Sequence, residues 1–349
     1  MKTPFKNFLK IFKIALAAAL VTFLLFTIWV MIEYNHRPES LPQDIIFEIP
    51  KGASVISVSH QLKAKGIITH PFIFRLMFQV LYPDQPIKAG EYKIKTPISI
   101  KELLQVLTQG QVLLHSITIP EGLTRFEIAT LLEKKLSFFS ANEFIAATET
   151  TSLIKDLDPL ATNLEGYLFP ETYSFPKGTS PGEVVQAMVR QFRRIFSSSW
   201  QARASQLGFS VREIVILASL IEKETSQPEE RNLISAVFHN RLKKKMKLDC
   251  DPTIIYALKL KGKYDGRLGW NDLKLDSPYN TYLYPGLPPG PIANPGQAAL
   301  EAALYPADVD YLYFVARNDG THVFSRTLRE HNQNVLIYQK KASRSFKKR

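Results

Sequence analysis

A single cysteine, Cys250, occurs in the 349 residues. No internal disulfide can form, so the fold must rest on its apolar core. The seven histidines form no His-x-x-x-His pair and accompany no second cysteine. That excludes the usual structural zinc spacings, and neither metal nor cofactor is expected. Charge is absent between Ile14 and Ile32, a stretch long enough to cross a bilayer as a helix. A small-x-small cleavage site is missing as well, since Trp29-Val30-Met31-Ile32 is bulky throughout. The stretch therefore reads as an uncleaved anchor rather than a signal peptide.

Lys2, Lys6, Lys10 and Lys13 precede the anchor, whereas Glu33 and Glu39 offset Arg37 after it. The positive-inside rule puts the N-terminus in the cytoplasm and everything from Glu33 onward outside. A net charge of +12 would often suggest nucleic acid. An exported domain seldom meets any, so anionic lipid or an acidic wall polymer is the expected counterpart, with solvated surface charge as the alternative that covers most of the lysines, and no nucleic-acid partner is expected.

An internal repeat follows. Residues 47–78 and 117–148 align without a gap at Ile49/Ile119, Pro50/Pro120, Gly52/Gly122, Ser54/Thr124 and Leu62/Leu132. Each copy reads as a short strand, a Pro-x-Gly turn and a helix capped by Ser54 or Thr124. The second halves repeat too, with Ser99 and Ser180 each three residues before a glutamate, a capping box in both copies. This removes a decoy, because Gly178-Thr179-Ser180-Pro181-Gly182 fits the G-x-S-x-G nucleophile pattern. The residue after a nucleophilic serine must lend an N–H to the oxyanion, and Pro181 has none. The expected unit is strand–helix–helix–strand plus a further helix. The first copy resembles a LysM-type module, a class that grips N-acetylhexosamine chains. A plain spacer lifting the C-terminal part off the membrane fits the same pattern.

From Val211 the texture changes. The apolar run Ile214–Ile221 continues as a helix through Glu222-Lys223-Glu224. Ser226, Pro228 and Glu229 then suggest the capped start of a new helix. Residues 277–296, SPYNTYLYPGLPPGPIANPG, carry prolines 278, 285, 288, 289, 291 and 295 and form a stiff loop. Its tyrosines and the amides of Asn280 and Asn294 suit sugars, although a loop merely packed over the core is equally compatible. A strand pair turning at Asn318-Asp319-Gly320, a last helix with His331 and a basic tail complete the chain.

LASLIEKET, ERNLISAVFHNRL, DPTIIYAL, SPYNTYLYPGLPPGPIANPG, ALYPADVDYLYFVA and HVFSRTLREHN occur in this order. Together they resemble the YceG-like (MltG) endolytic murein transglycosylases, from the anchor to about residue 338. The resemblance implies an α+β fold: an N-terminal transmembrane helix, LysM-like small α+β modules and a C-terminal α+β catalytic domain. The expected boundaries are a cytoplasmic tail 1–13, a transmembrane helix 14–32 and a LysM-like module 43–110. A second repeat-related module 115–198, a catalytic domain 199–338 and a basic tail 339–349 follow. It further implies a single-pass protein of the bacterial inner membrane, its C-terminal domain periplasmic. The substrate would be peptidoglycan glycan strands, cut within the strand between N-acetylmuramic acid and N-acetylglucosamine to leave 1,6-anhydro ends. Termination of nascent strands and association with peptidoglycan synthases belong to the same expectation.

By that resemblance the catalytic glutamate is Glu222, the first of the E-K-E-T motif. One carboxyl can serve as both acid and base, because the muramyl C6 hydroxyl supplies the nucleophile. Its proton affinity must then be raised, which an apolar wall would do. Glu224, Asn240, Asp251, Thr253, Tyr279, Asn280 and Tyr282 are the candidates for substrate contact, and Arg231 and Arg241 the candidate loop anchors. Two rivals stay open. A muramidase would need a second carboxylate such as Asp249, Asp251 or Asp276, and a wall-binding scaffold would need no catalytic group. Spacing alone also permits Glu222 to be an ordinary solvated carboxylate.

Overall fold

The computed structural model describes residues 3–38, 44–317 and 319–340. Lys2, Glu39, Asn318 and the tail from 341 onward, all invoked above, lie outside the described residues. The chain divides into two compact units, residues 1–115 with 175–178, and residues 116–174 with 179–349.

The first unit begins with α1 (Thr3–Asn35), which extends the uncharged run at both ends. Among the described residues, Phe8–Asn35 is the one helix long and apolar enough by itself to cross a membrane. Most of its side chains are exposed, but Val30 and Tyr34 near its end are buried in the core of the unit. That core is built from β1 (Ile45–Ile49), α2 (Val55–Ala64), α3 (Pro71–Leu81), β2 (Gly90–Ile94) and α4 (Ile100–Gln109). The antiparallel β1–β2 pair sets Phe47 opposite Tyr92, and alternation buries Phe47, Ile49, Tyr92 and Ile94 on one face. Leu62, Phe74, Leu103 and Leu107 close over that face. Ser99 and Glu102 form the expected box at the start of α4, with hydrogen bonds of 3.2 and 3.0 Å. Such a cap stabilises by about 1 kcal/mol.

The second unit repeats the same order with β3 (Leu114–Thr118), α5 (Arg125–Lys135), α6 (Ala141–Thr148), β4 (Thr172–Pro176) and α7 (Pro181–Ile195). The division between the units falls within β3 and β4. Ser116 faces Ser174 and Thr118 faces Thr172, their hydroxyls 2.8 Å apart in each pair. Ser180 caps α7 through Glu183, as expected of a serine that is no nucleophile.

The rest of the unit gathers around one helix. After α8 (Ser198–Gln206) comes α9 (Val211–Glu224), in which every residue from Ile214 to Ile221 is buried. A helix apolar on all sides belongs at the centre of a fold. Around it stand α10 (Arg231–Lys243), α11 (Asp251–Leu260) and α12 (Gln297–Leu304), with α12 the most extensively packed on it. The antiparallel pair β5 (Tyr313–Ala316) and β6 (His322–Ser325), then α13 (Leu328–Val335), end the unit. One expected start is different. Ser226 does not cap; a 3-10 turn at Pro228–Glu230 precedes α10, and Thr225 Oγ1 accepts the Gln227 N–H at 3.0 Å. The expected box glutamate Glu229 makes no cap either, and the carboxylate of the next residue, Glu230, is taken by the His322 N–H and ring Nδ1, each at 2.7 Å. The architecture is mixed α+β.

Candidate active site

Glu222 sits in the last turn of α9, directly after the buried run, and is half-buried. Two loops close around it. The first is the final stretch of the proline-rich loop, which runs alongside α9. The Ile292 N–H donates to Ser219 Oγ at 3.1 Å, and the Gly296 N–H donates to Glu222 Oε2 at 3.1 Å. Gly296 is also the N-cap of α12, so the carboxylate faces the positive end of that helix. The second loop is the Pro-x-Gly turn after β3. Gly122 has φ +74, a backbone that glycine adopts without strain, and a Cβ there would stand 3.4 Å from Glu222 Cγ.

Asn294 binds these loops together. Its own N–H donates to the Leu123 carbonyl and its own carbonyl accepts from the Gly122 N–H, both at 2.9 Å. Its side-chain oxygen accepts from the Gly166 and Leu168 amides at 2.8 and 3.0 Å. Its side-chain nitrogen donates to the Leu123 carbonyl and to Glu165 at 2.9 and 2.8 Å. Asn294 is buried, and every polar atom it has is used.

The turn also brings a second carboxylate. Glu121 is exposed, and its carboxyl occupies the space a Cβ on Gly296 would need. Glu222 thus has a raised proton affinity: burial drives it up, the Gly296 N–H opposes, and the Glu121 charge adds to the rise. Arg231 and Lys223 pull the other way. Lys223 is exposed, and its ammonium donates to the Gly122 carbonyl at 3.0 Å. Glu121 is not among the residues the sequence singles out, yet the repeat carries a signal. The other copy has Lys51 at the aligned position, so the two otherwise matching turns differ in charge just there.

The candidate contact residues are placed as follows. Glu224 accepts from Cys250 Sγ at 3.0 Å, and burial pushes its carboxyl up to about 7. Asp251 accepts from the Tyr282 hydroxyl at 2.6 Å. Thr253 is fully buried, donating to the Cys250 carbonyl at 2.7 Å, with Thr281 Oγ1 3.0 Å away. Asn240 donates to the Val309 and Tyr311 carbonyls at 2.8 and 3.0 Å. Asn280 is fully buried, donating to the Leu273 and Leu275 carbonyls at 3.0 and 2.8 Å. Tyr279 stands half-buried beside Tyr256, ring centroids 5.0 Å apart. Arg241 anchors loops by donating to the Leu312, Lys247 and Leu248 carbonyls at 2.7, 3.0 and 3.0 Å.

Of the aspartates, Asp249 pairs with Arg241 at 2.9 Å, and Asp276 accepts from the Tyr284 hydroxyl at 2.8 Å. With Asp251 held by Tyr282, the carboxylate acting most on Glu222 is Glu121.

Comparison with known proteins gives a consistent result. The model of the YceG-like family matches residues 47–336. A Bacillus subtilis (strain 168) protein named endolytic murein transglycosylase is 37% identical over 302 residues, covering 82% of each chain. A protein of the same name from Streptococcus pneumoniae serotype 2 is 31% identical over 323 residues, 82% of this chain and 57% of its own greater length. The crystal structure of a yceG-like protein from Listeria monocytogenes superposes with a TM-score of 0.57 at 34% identity. That match covers 83% of this chain and 98% of the other.

Proposed function

The chain belongs to the YceG-like family, and on that premise we propose that it is an endolytic lytic transglycosylase of peptidoglycan with Glu222 as its single acid and base. The observation that carries this reading is the setting of Glu222. The carboxyl is desolvated by the end of α9 and lies near the Glu121 charge, so its neutral form is favoured. A protonated Glu222 gives its proton to the glycosidic oxygen as the bond from the muramyl anomeric carbon breaks. The C6 hydroxyl of the same sugar then bonds to that carbon and passes its proton to Glu222. Protons balance, no water is consumed, and the acid is regenerated. The Gly296 N–H and the α12 N-terminus hold the charge that exists between the two transfers.

In this reading Tyr279 and Tyr282 offer rings to the sugar. Asn240, Asp251, Thr253 and Asn280, whose polar groups are spent on protein partners, shape the wall behind it, and Glu224 with Cys250 supports the end of α9. The first unit, with its LysM-like element order, grips the glycan strand. The helix Phe8–Asn35 anchors the chain in the inner membrane with the catalytic part outside, near glycan-polymerising enzymes whose nascent strands it cuts.

A second reading has one observation in its favour. Glu121 supplies the further carboxylate a hydrolase needs, where Asp249, Asp251 and Asp276 are otherwise engaged. Mass spectrometry of purified glycan strands treated with the chain separates the two. Ends one water lighter than reducing sugars, lost by about 10²–10⁴-fold in Glu222→Gln, support the lytic reaction. Ordinary reducing ends would make it a hydrolase, and unchanged cleavage by Glu222→Gln would remove Glu222 from the chemistry.

A further inference from the structure

We propose that the exposed apolar face of α3, with Ile56 of α2 beside it, is seated in the lipid headgroup boundary where α1 leaves the bilayer. The proposal rests on reading α1 as a membrane anchor. It concerns a surface distant in purpose from the glutamate site: how the first unit is held against the bilayer.

Depth is set by α1 itself. Trp29 lies three residues before Ile32, at the end of the uncharged run, and its ring meets the His70 ring edge-on at 5.4 Å. Glu33, the first charge, lies 3.7 Å from His70 Nε2. His70 is the N-cap of α3, so α3 begins at the level where the apolar span ends. At its other end Tyr82, the C-cap, lies within electrostatic reach of Tyr34. Val30 and Tyr34 of α1 are buried in the same core as Ile73, Phe74 and Phe78, so α3 packs on the end of α1 at that level.

Its composition fits that position. Ile73, Phe74 and Phe78 face the core, while Phe72 is 52% and Val80 64% exposed. Phe72, Leu76 and Gln79 share the outer side at helical spacing and, with Val55 and Ile56, line an open groove of about 440 Å³. Ile56 is 57% exposed. Large apolar side chains grouped on a surface mark an interaction site. Arg75 stands among them and makes no ion pair among the described residues. An apolar face carrying an unpaired guanidinium suits anionic phosphate headgroups above acyl chains, the stem lying along the apolar surface.

The test uses the full chain in vesicles containing anionic lipid. An environment-sensitive fluorophore is attached through Phe72→Cys, Leu20→Cys or Lys93→Cys, the buried Cys250 remaining unlabelled in the folded chain. Lys93 is exposed on β2, on the opposite side of the strand from the buried Tyr92 and Ile94. The expected result is a blue-shifted label at 72 quenched most by lipids brominated near the headgroup. The label at 20 should be quenched most by deep bromines, and that at 93 by neither. Quenching at 20 with none at 72, or equal quenching at 72 and 93, overturns the proposal and leaves the anchor standing. No quenching at 20 overturns the anchor itself. Crosslinking between two chains through position 72, or release of the 72 label's blue shift by added glycan, overturns it in favour of a second copy or of sugar.

Discussion

Glu121 and Glu222 meet at one residue: the Glu121 carboxyl packs against Gly296 where a side chain would be, and the Gly296 amide donates to Glu222 at 3.1 Å. Two loops and the end of a central helix thus set a pair of carboxylates in which the half-buried one is pushed toward its neutral form by burial first and by its neighbour second. A lytic reaction needs that neutral form to start.

The pH dependence of Glu121→Gln follows. Removing the neighbouring negative charge favours ionised Glu222, so its proton is lost at lower pH than in the parent chain. The alkaline limb of the pH–rate profile should move to lower pH, with activity on the acid side largely kept. Rates of glycan cleavage across the pH range check this. A uniform loss at all pH values would instead mean that Glu121 takes part in the reaction, as a hydrolase would require.

What could be read from the chain and what could not divide along a physical line. Caps at Ser54, Ser99, Thr124 and Ser180 are contacts between a side chain and a backbone N–H three residues on, so local sequence contains them. The strand–helix–helix–strand order was legible for the same reason. Ser226 does not cap because the hydroxyl of its neighbour Thr225 accepts the Gln227 N–H, and the next turn is tied through Glu230 to the distant His322. The Glu121–Glu222 relationship depends on Asn294 joining segments far apart in sequence, and no local pattern encodes that. The amides of Asn280 and Asn294 looked free for sugar because a proline-rich loop usually lies on the surface. Here both amides are buried and bonded to protein.

Asn294→Ala should cost both stability and activity. It strips partners from the buried Gly166 and Leu168 amides and from Glu165, and an unsatisfied buried group costs roughly 1–3 kcal/mol. The expected loss is therefore at least about 2 kcal/mol in denaturant unfolding. Because the Gly122 and Gly296 loops lose their common tie, cleavage rate should fall in the fraction that remains folded.

Gly122→Ala separates geometry from stability. The φ of +74 costs a non-glycine residue about 1–2 kcal/mol, and the new methyl would stand 3.4 Å from Glu222 Cγ. The unfolding midpoint should drop modestly, whereas the cleavage rate should fall by a larger factor as Glu222 is displaced from the Gly296 amide. Loss of stability with an unchanged rate per folded molecule would show that the turn tolerates the methyl.

Glu224 sets a stability dependence opposite to that of a paired surface carboxylate. Burial lifts its carboxyl from 4.5 to about 7, so between these values the unfolded chain has released the proton and the folded chain keeps it. Fewer protons on the unfolded state mean that stability falls as pH rises. The contribution is fully present below pH 4.5 and is lost as pH climbs through about 7. In Glu224→Gln the amide oxygen can still accept from Cys250 Sγ, 3.0 Å away in the parent, while the titration disappears. The variant should therefore gain on the parent chain between pH 5 and 8, as read from unfolding midpoints at each pH. An identical pH slope in both proteins would mean that Glu224 is already ionised in the fold, with Cys250 as its donor.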